Sequence, residues 1–229
     1  MRQKIKYLLM GIAIGITGTV TMLAVGLILM IYSAAGTSNV PVQDHIRSVP
    51  EGITIDMSGL PVQGSPSSRV AIVEFSDYEC PYCARHAKSV FIEVKEQFVE
   101  TGKVRYLFAN NPLKIHQNAE VLAAAAICAG QQDHYWSMHD ALFELMPRSI
   151  AEILALASRL NLNEARLQQC IDNDPAPRVR IEQDMQNAQA LSLGSTPAFA
   201  IGHVISDRIK IAKLIIGAQP LVGGCPISC

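Results

Sequence analysis

The sequence has no charged residue between Lys6 and Asp44. Within this stretch, residues 7–32 are all apolar, glycine or threonine, a run of 26 residues. Such a run is too long for the core of an ordinary signal peptide and long enough to cross a lipid bilayer with some tilt. The lack of charge therefore predicts a transmembrane anchor over residues 7–35.

Three basic residues precede the apolar run: Arg2, Lys4 and Lys6. Positive charge on this side predicts that residues 1–6 stay in the cytoplasm and that the later residues are extracytoplasmic, whether periplasmic or outer. The small residues at positions 33–35 also fit a signal-peptidase site, so cleavage of the apolar run is an open alternative. Both interpretations deliver the rest of the chain to the same side of the membrane.

The part of the chain after the apolar run lacks an excess of basic residues, since 16 Lys and Arg stand against 20 Asp and Glu. This balance argues against nucleic acid as a partner. Cysteine is absent before Cys80, and all six cysteines lie in the part predicted to be exported, where disulfides persist. The sequence shows no internal repeat, and about 190 residues suit one domain with a full core.

Residues 36–68 are rich in Ser, Pro, Gly and Gln. This composition predicts a tether with one short entry strand near residues 53–57. Hydrophobic patterning then predicts a buried strand over residues 69–76, a helix over residues 81–100 and a strand over residues 103–108.

Residues 115–193 carry only helical signals. Pro175 and Pro177 are expected to break this helical region before a polar helix over residues 178–193. A short strand over residues 198–201 follows, and residues 206–214 fit either a strand or a helix. This order predicts an α/β sheet with an inserted helical subdomain.

The motif Cys80-Pro81-Tyr82-Cys83 lies where the first strand gives way to the first helix. A C-x-x-C motif at such a junction is typical of a redox dithiol. The helix N-terminus favours an anion, which lowers the pKa of the first thiol. The second thiol, one helical turn later, is close enough to attack a mixed disulfide formed on the first.

A structural zinc site is the competing interpretation, because Cys225 and Cys229 form a second closely spaced pair. The two pairs of such a site are often only about 15–20 residues apart. Here most of the domain separates them, which favours the redox interpretation.

Four separated motifs resemble, in order, those of the DsbA-like family of the thioredoxin superfamily, the exported thiol–disulfide oxidoreductases. The resemblance covers about residues 52–220 and rests on Val73–Ser76 leading into Cys80–Cys83, Tyr135–Asp140 with Phe143, Gly194–Pro197, and Gly217–Pro220. It implies a thioredoxin-like fold with a helical insertion, here a domain over residues 69–220 with the insertion at about residues 115–193.

The resemblance also implies roles for five residues. Cys80 is the thiol that exchanges with substrate, and Cys83 is the buried resolving thiol. Thr196 and Pro197 form the loop whose proline is cis and packs against the dithiol, where the Thr196 backbone can pair with an extended substrate. Glu74 matches a buried acid that relays protons to the inner thiol, and a Glu74 side chain turned out to solvent is the alternative.

Cys128 and Cys170 match the positions of a second, structural disulfide in some members of the family, and two buried free thiols are the alternative. The segment after Pro220 departs from the family. Residues 221–229 are too short for the expected closing helix and contain Gly223, Gly224 and Pro226. This tail also carries Cys225 and Cys229, whose bonding the sequence leaves open.

The resemblance implies a membrane-tethered enzyme that introduces disulfides into exported proteins with free thiols. It implies reoxidation by a quinone-linked membrane partner and no organic cofactor or metal. Two alternatives stay open: the same pair working as a reductase or isomerase, and a chaperone-like binding module that is not an enzyme.

The other polar and aromatic residues near the motif are not predicted to take part in catalysis. Asp77 and Glu79 are predicted to be exposed and to oppose thiolate formation at Cys80 modestly. His86 is predicted to lie on the surface. The aromatic cluster around Tyr135 and Trp136 is predicted to serve packing.

Overall fold

The computed structural model describes residues 45–221. The predicted anchor over residues 7–35 and the tail cysteines Cys225 and Cys229 lie outside this range, so the zinc alternative is also outside it. Among the helices of residues 45–221, none has both the length and the apolar character needed to cross a membrane.

The described residues contain one mixed sheet of seven strands. The strands are β1 (Ile46–Ser48), β2 (Thr54–Asp56), β3 (Val62–Gln63), β4 (Val70–Ser76), β5 (Val104–Asn110), β6 (Ala198–Ile205) and β7 (Arg208–Ile216). Their order is β1-β7-β6-β4-β5-β3, and β2 also pairs with β7. The segment over residues 206–214, which the sequence left open, is therefore mostly strand, and β1 and β3 were not anticipated.

Strand β4 is the centre of the sheet because its apolar run can be buried on both faces. It pairs in parallel with β5 and antiparallel with β6. Since side chains alternate along a strand, Val73 and Phe75 pack on one face, while Ile72, Glu74 and Ser76 belong to the other. Glu74 is thereby placed on a buried sheet face.

The helices are α1 (Pro81–Lys88), α2 (Val90–Val94), α3 (Ala119–Gly130), α4 (Tyr135–Leu145), α5 (Ile150–Arg159), α6 (Glu164–Asn173) and α7 (Pro175–Ala190), with a π-helical turn at Lys95–Val99. The single helix predicted over residues 81–100 is therefore wrong. Its backbone breaks at Ser89, whose hydroxyl bonds the Arg85 carbonyl oxygen at 2.7 Å. Such a side-chain bond competes with the regular helical pattern.

The helical region breaks at Asp174, directly before Pro175, as predicted, but the helix that follows begins at Pro175 and not at residue 178. Pro175 and Pro177 both lie in the first turn of α7, where a missing backbone N–H leaves no helical bond unmade. Asp174 caps this helix by accepting a hydrogen bond from the Ala176 N–H at 2.9 Å. Helices α3 to α7 together form the predicted insertion between β5 and β6.

The helical insertion is cross-linked near one end. Cys128 on α3 and Cys170 on α6 form a disulfide that joins residues 42 apart in sequence. Both side chains are buried with Leu122, Leu142 and Leu167 in the core of the insertion. The bridge therefore limits how far α3 and α6 can separate in the unfolded chain.

Replacing Cys128 and Cys170 together by alanine should lower the free energy of unfolding by about 4 kcal/mol, because the unfolded chain regains the entropy of an open loop. Urea unfolding without reductant measures the difference. Adding reductant also opens the wild-type bridge, so the two proteins should then become similar. Equal stability without reductant would contradict the prediction.

Candidate active site

Cys80 is the N-cap residue of α1, with Pro81 in the first helical position. Pro81 suits this position because its ring fixes a helical φ and it has no N–H to leave unpaired. The loop before the helix is held by a hydrogen bond from the Cys80 N–H to the Asp77 carbonyl oxygen at 3.0 Å. The Cys80 side chain is 4% exposed and so sits just beneath the surface.

The two thiols of the motif are not bonded to each other and differ strongly in acidity. The pKa of Cys80 is lowered to about 5, first by a hydrogen bond from the Cys83 thiol and then by the Thr196 side chain and the backbone N–H groups of Cys83 and Tyr82, against the effect of burial. Burial raises the pKa of Cys83, and the Cys80 thiolate raises it further. One negative charge is therefore held on the outer sulfur.

The Thr196–Pro197 peptide bond is cis, as the resemblance implies, and its loop lies against the dithiol. The Thr196 carbonyl oxygen is 3.5 Å from the Cys80 sulfur. The Pro197 carbonyl oxygen accepts a hydrogen bond from the Gly217 N–H at 2.8 Å, which ties the loop to the end of β7. The structure thus brings the Cys80-x-x-Cys83 motif and the proline loop together although 116 residues separate them.

Glu74 is 2% exposed, so the alternative of a solvent-facing side chain is wrong. Its Oε2 atom accepts a hydrogen bond from the Tyr106 hydroxyl at 2.5 Å. Its Oε1 atom is buried and has no hydrogen-bond partner among residues 45–221. The negative charge of Glu74 contributes to the raised pKa of Cys83, which places the acid within electrostatic reach of the inner thiol.

His86 is buried, with 3% exposure, and the prediction of a surface position is wrong. Its Nε2 atom lies 3.1 Å from the Tyr106 hydroxyl oxygen and 4.0 Å from Oε2 of Glu74. The sequence held a usable signal for this placement. His86 follows Cys83 by three residues, and residues three apart share one face of a helix.

Asp77 is 1% exposed rather than on the surface. Its Oδ2 atom accepts hydrogen bonds from the Leu113 N–H at 2.7 Å and from Nδ1 of His116 at 2.8 Å. Burial opposes a charge on His116, but the hydrogen bond and the charge of Asp77 outweigh it, so the pKa of His116 is raised. The carboxylate of Asp77 therefore favours the protonated form of His116.

Glu79 is half-buried rather than exposed, and both oxygens of its carboxylate also accept hydrogen bonds. Oε2 accepts from the Asn118 N–H at 2.6 Å, and Oε1 accepts from the Asn118 side-chain amide at 2.9 Å. Asp77 and Glu79 thus fasten the loop before Cys80 to the segment that leads into α3. Their role in the structure is to position this loop, a role that sequence distance could not reveal.

The aromatic cluster packs between the sheet and the insertion, as predicted. Tyr78 contacts Phe108 and Phe143 with ring centroids 5.4 and 4.7 Å apart. The Tyr78 hydroxyl lies 3.1 Å from Nδ1 of His139. Burial lowers the pKa of His139 to about 3, so this ring is neutral at physiological pH.

The contribution of the Cys83 thiol to the acidity of Cys80 is testable by alkylation. In the wild-type reduced protein, reaction of Cys80 with iodoacetamide should reach half its maximal rate near pH 5. Cys83→Ala removes the first hydrogen-bond donor to the thiolate and should move this midpoint upward, while Cys83→Ser keeps a donor and should move it less. Equal midpoints in the alanine and serine variants would contradict this account.

Residues 57–214 match the family described as thioredoxin. The chain is 35% identical over 145 residues to the Na(+)/H(+) antiporter NhaA 1 of Salinispora arenicola, which covers 61% of this chain and 21% of that protein. The chain therefore spans about a fifth of the length of this relative. It is 26% identical over 159 residues to disulfide bond formation protein D of Bacillus subtilis, covering 65% of this chain and 70% of that protein.

Among solved structures, the fold resembles alpha-DsbA1 of Wolbachia pipientis with a TM-score of 0.59 and 21% sequence identity. The likeness covers 67% of this chain and 82% of that structure. The family match spans well over half of the sequence and contains both the cysteine motif and the cis-proline loop. The chain therefore belongs to the thioredoxin family.

Proposed function

We propose that the protein is a membrane-tethered thiol–disulfide oxidoreductase that introduces disulfides into exported proteins through Cys80 and Cys83. The observation that carries this proposal is the unequal acidity of the two thiols. The pKa of Cys80 is lowered to about 5, while burial raises that of Cys83. Such a pair has one sulfur ready to exchange with substrate and a second, protected sulfur to resolve the product.

The reaction begins with the Cys80–Cys83 pair as a disulfide. A substrate thiolate attacks the Cys80 sulfur, the bond between the two cysteines breaks, and Cys83 leaves with the electron pair. Glu74 supplies the proton that Cys83 then takes. The second substrate thiolate attacks the mixed disulfide and displaces Cys80, so the substrate is oxidised and the enzyme is reduced.

The cis-proline loop is the place for the substrate backbone in this proposal. Thr196 lies beside the Cys80 sulfur, and Pro197 has no N–H of its own. An extended substrate chain could therefore pair with the backbone of Thr196 while its cysteine reaches Cys80.

The direction of electron flow follows from the stabilised thiolate. A low thiol pKa favours the reduced enzyme at neutral pH, and a stable reduced form makes the disulfide a stronger oxidant. The name of the Bacillus subtilis relative, disulfide bond formation protein D, agrees with this direction. A reductase or isomerase would use the same residues with a less stabilised Cys80 thiolate.

We further propose that residues 7–35 anchor the protein and hold residues 36–229 on the extracytoplasmic side of the membrane. The uncharged run and the preceding basic residues support this placement. A reduced enzyme must be reoxidised, and the family resemblance points to a quinone-linked membrane partner for that step.

The reduction potential of the Cys80–Cys83 pair tests the direction of the reaction. Equilibration with glutathione should give a value nearer about −120 mV, as for a strong oxidant, than about −270 mV, as for a reductant. The oxidised protein should also convert a reduced, unfolded substrate protein to its disulfide form in stoichiometric amount. A potential near the lower value would reverse the assigned direction.

The nearly isosteric variant Cys80→Ser distinguishes the proposed enzyme from the alternative of a chaperone-like binding module. This variant should lose all oxidation of the substrate protein because it removes the exchanging sulfur, while its fold and its second disulfide stay intact. Suppression of aggregation of the same substrate provides the comparison. A variant that keeps the full effect of the wild type on substrate would favour a chaperone-like module.

A further inference from the structure

A chain of three buried side chains leads from α1 to the acid on β4. The Tyr106 hydroxyl donates to Oε2 of Glu74, and Nε2 of His86 lies 3.1 Å from the same hydroxyl oxygen. Because a tyrosine hydroxyl has one hydrogen, Nε2 of His86 must be the donor in its contact with Tyr106. The neutral ring then leaves Nδ1 as an acceptor.

The same contacts serve the other protonation state of the acid. When Glu74 carries the proton, it donates to Tyr106, and the Tyr106 hydroxyl donates to Nε2 of His86, whose proton is then on Nδ1. No heavy atom has to move between the two arrangements. The three side chains can therefore pass a proton in either direction.

His86 lines two spaces whose walls include exposed residues. Nδ1 is buried and has no hydrogen-bond partner among residues 45–221. The residue lines a cavity of about 60 Å³ whose wall includes Phe199 and the exposed Pro220. It also borders a cleft of about 280 Å³ beside the exposed Arg85 and Ser89. A cavity of this size can hold water, and the unpaired Nδ1 atom would gain a hydrogen bond from a water that reached it.

The groups around His86 come from the sheet, the insertion and α1. On the sheet these are Glu74 and Tyr106, together with the apolar ring of Phe199, whose centroid is 4.6 Å away. On the insertion, His139 is within electrostatic reach, and on α1 itself the cation Arg85 borders the same cleft. Burial lowers the pKa of His86, partly offset by the charge of Glu74, so the ring is neutral at pH 7 and does not retain a proton that it receives.

We propose that His86 is the residue through which Glu74 exchanges protons with solvent, by way of the Tyr106 hydroxyl. His86 does not touch the substrate or either sulfur in this scheme. It sets how quickly the buried Glu74 gains or loses its proton.

The proton balance can be followed through one reduction of the enzyme. Cys83 leaves the broken disulfide as a thiolate and takes a proton from Glu74. The Glu74 carboxylate takes the hydroxyl proton of Tyr106, and the Tyr106 oxygen takes the proton on Nε2 of His86. Nδ1 of His86 takes one proton from water, and the ring becomes the other neutral tautomer. The ring returns to the first tautomer by losing the proton at Nδ1 and gaining one at Nε2. One proton enters from solvent and one is bound by Cys83.

This inference rests on the proposed function, and one experiment separates the two. The reduced protein is mixed with glutathione disulfide, and samples are quenched with acid. The first step, attack by Cys80, forms a mixed disulfide with glutathione. The second step requires Cys83 to give up its proton before it closes the Cys80–Cys83 disulfide, so only the second step depends on the relay.

His86→Gln is the informative variant because its side-chain amide can still donate a hydrogen bond to Tyr106 but cannot pass a proton on. The second step should slow by at least about tenfold, while the first step keeps the wild-type rate. Tyr106→Phe should slow the same step. His139→Gln is the matched control, since it changes another buried histidine bonded to a tyrosine, and it should leave both steps unchanged.

His86→Ala provides a second measurement that a structural role would not affect. The lost ring enlarges the cavity, and added imidazole should restore the second step in this variant but not in Tyr106→Phe. Wild-type rates in His86→Gln, or no response of His86→Ala to imidazole, would overturn the relay. A wild-type protein that forms neither the mixed nor the internal disulfide would instead overturn the proposed function.

Discussion

The site depends on one shared negative charge. The N-terminus of α1 and the thiol of Cys83 hold a thiolate on Cys80, while the interior around Cys83 keeps the second sulfur protonated. Two identical side chains three residues apart thereby acquire different chemistry. The difference comes from depth, because one sulfur lies at the helix end near the surface and the other lies inside the protein.

The residues around this pair come from several separate elements of the fold. In the proposed relay, the acid comes from the central strand, the tyrosine from the neighbouring strand, and the histidine from the helix that carries both cysteines. The insertion, closed by the bridge between Cys128 and Cys170, covers the other side of the motif with aromatic rings. The exclusion of water strengthens the electrostatic interactions of the buried Glu74.

The acidic residues before Cys80 show how hydrogen bonding changes the effect of a charge. Two carboxylates so near a thiolate should raise its pKa if they were free. Instead Asp77 is paired with His116 and two backbone N–H groups, and Glu79 is bonded twice to Asn118. Both carboxylates are engaged in hydrogen bonds that fix the loop, so the Cys80 thiolate is stabilised despite the two nearby acids.

The sequence by itself determined the redox motif, the strand that precedes it, the helical insertion and the proline loop, because each is a local pattern of residue types or a set of motifs in a fixed order. It also indicated Glu74, through the resemblance to a family with a buried acid at this position. It did not determine the partners of that carboxyl. Tyr106 and His86 meet Glu74 only when β5 and α1 pack on β4, and Asp77 bonds His116 from a segment 39 residues away. Hydrogen bonds between distant segments are decided by packing, and so the tertiary structure alone fixes which acid is buried and which side chains each acid is bonded to.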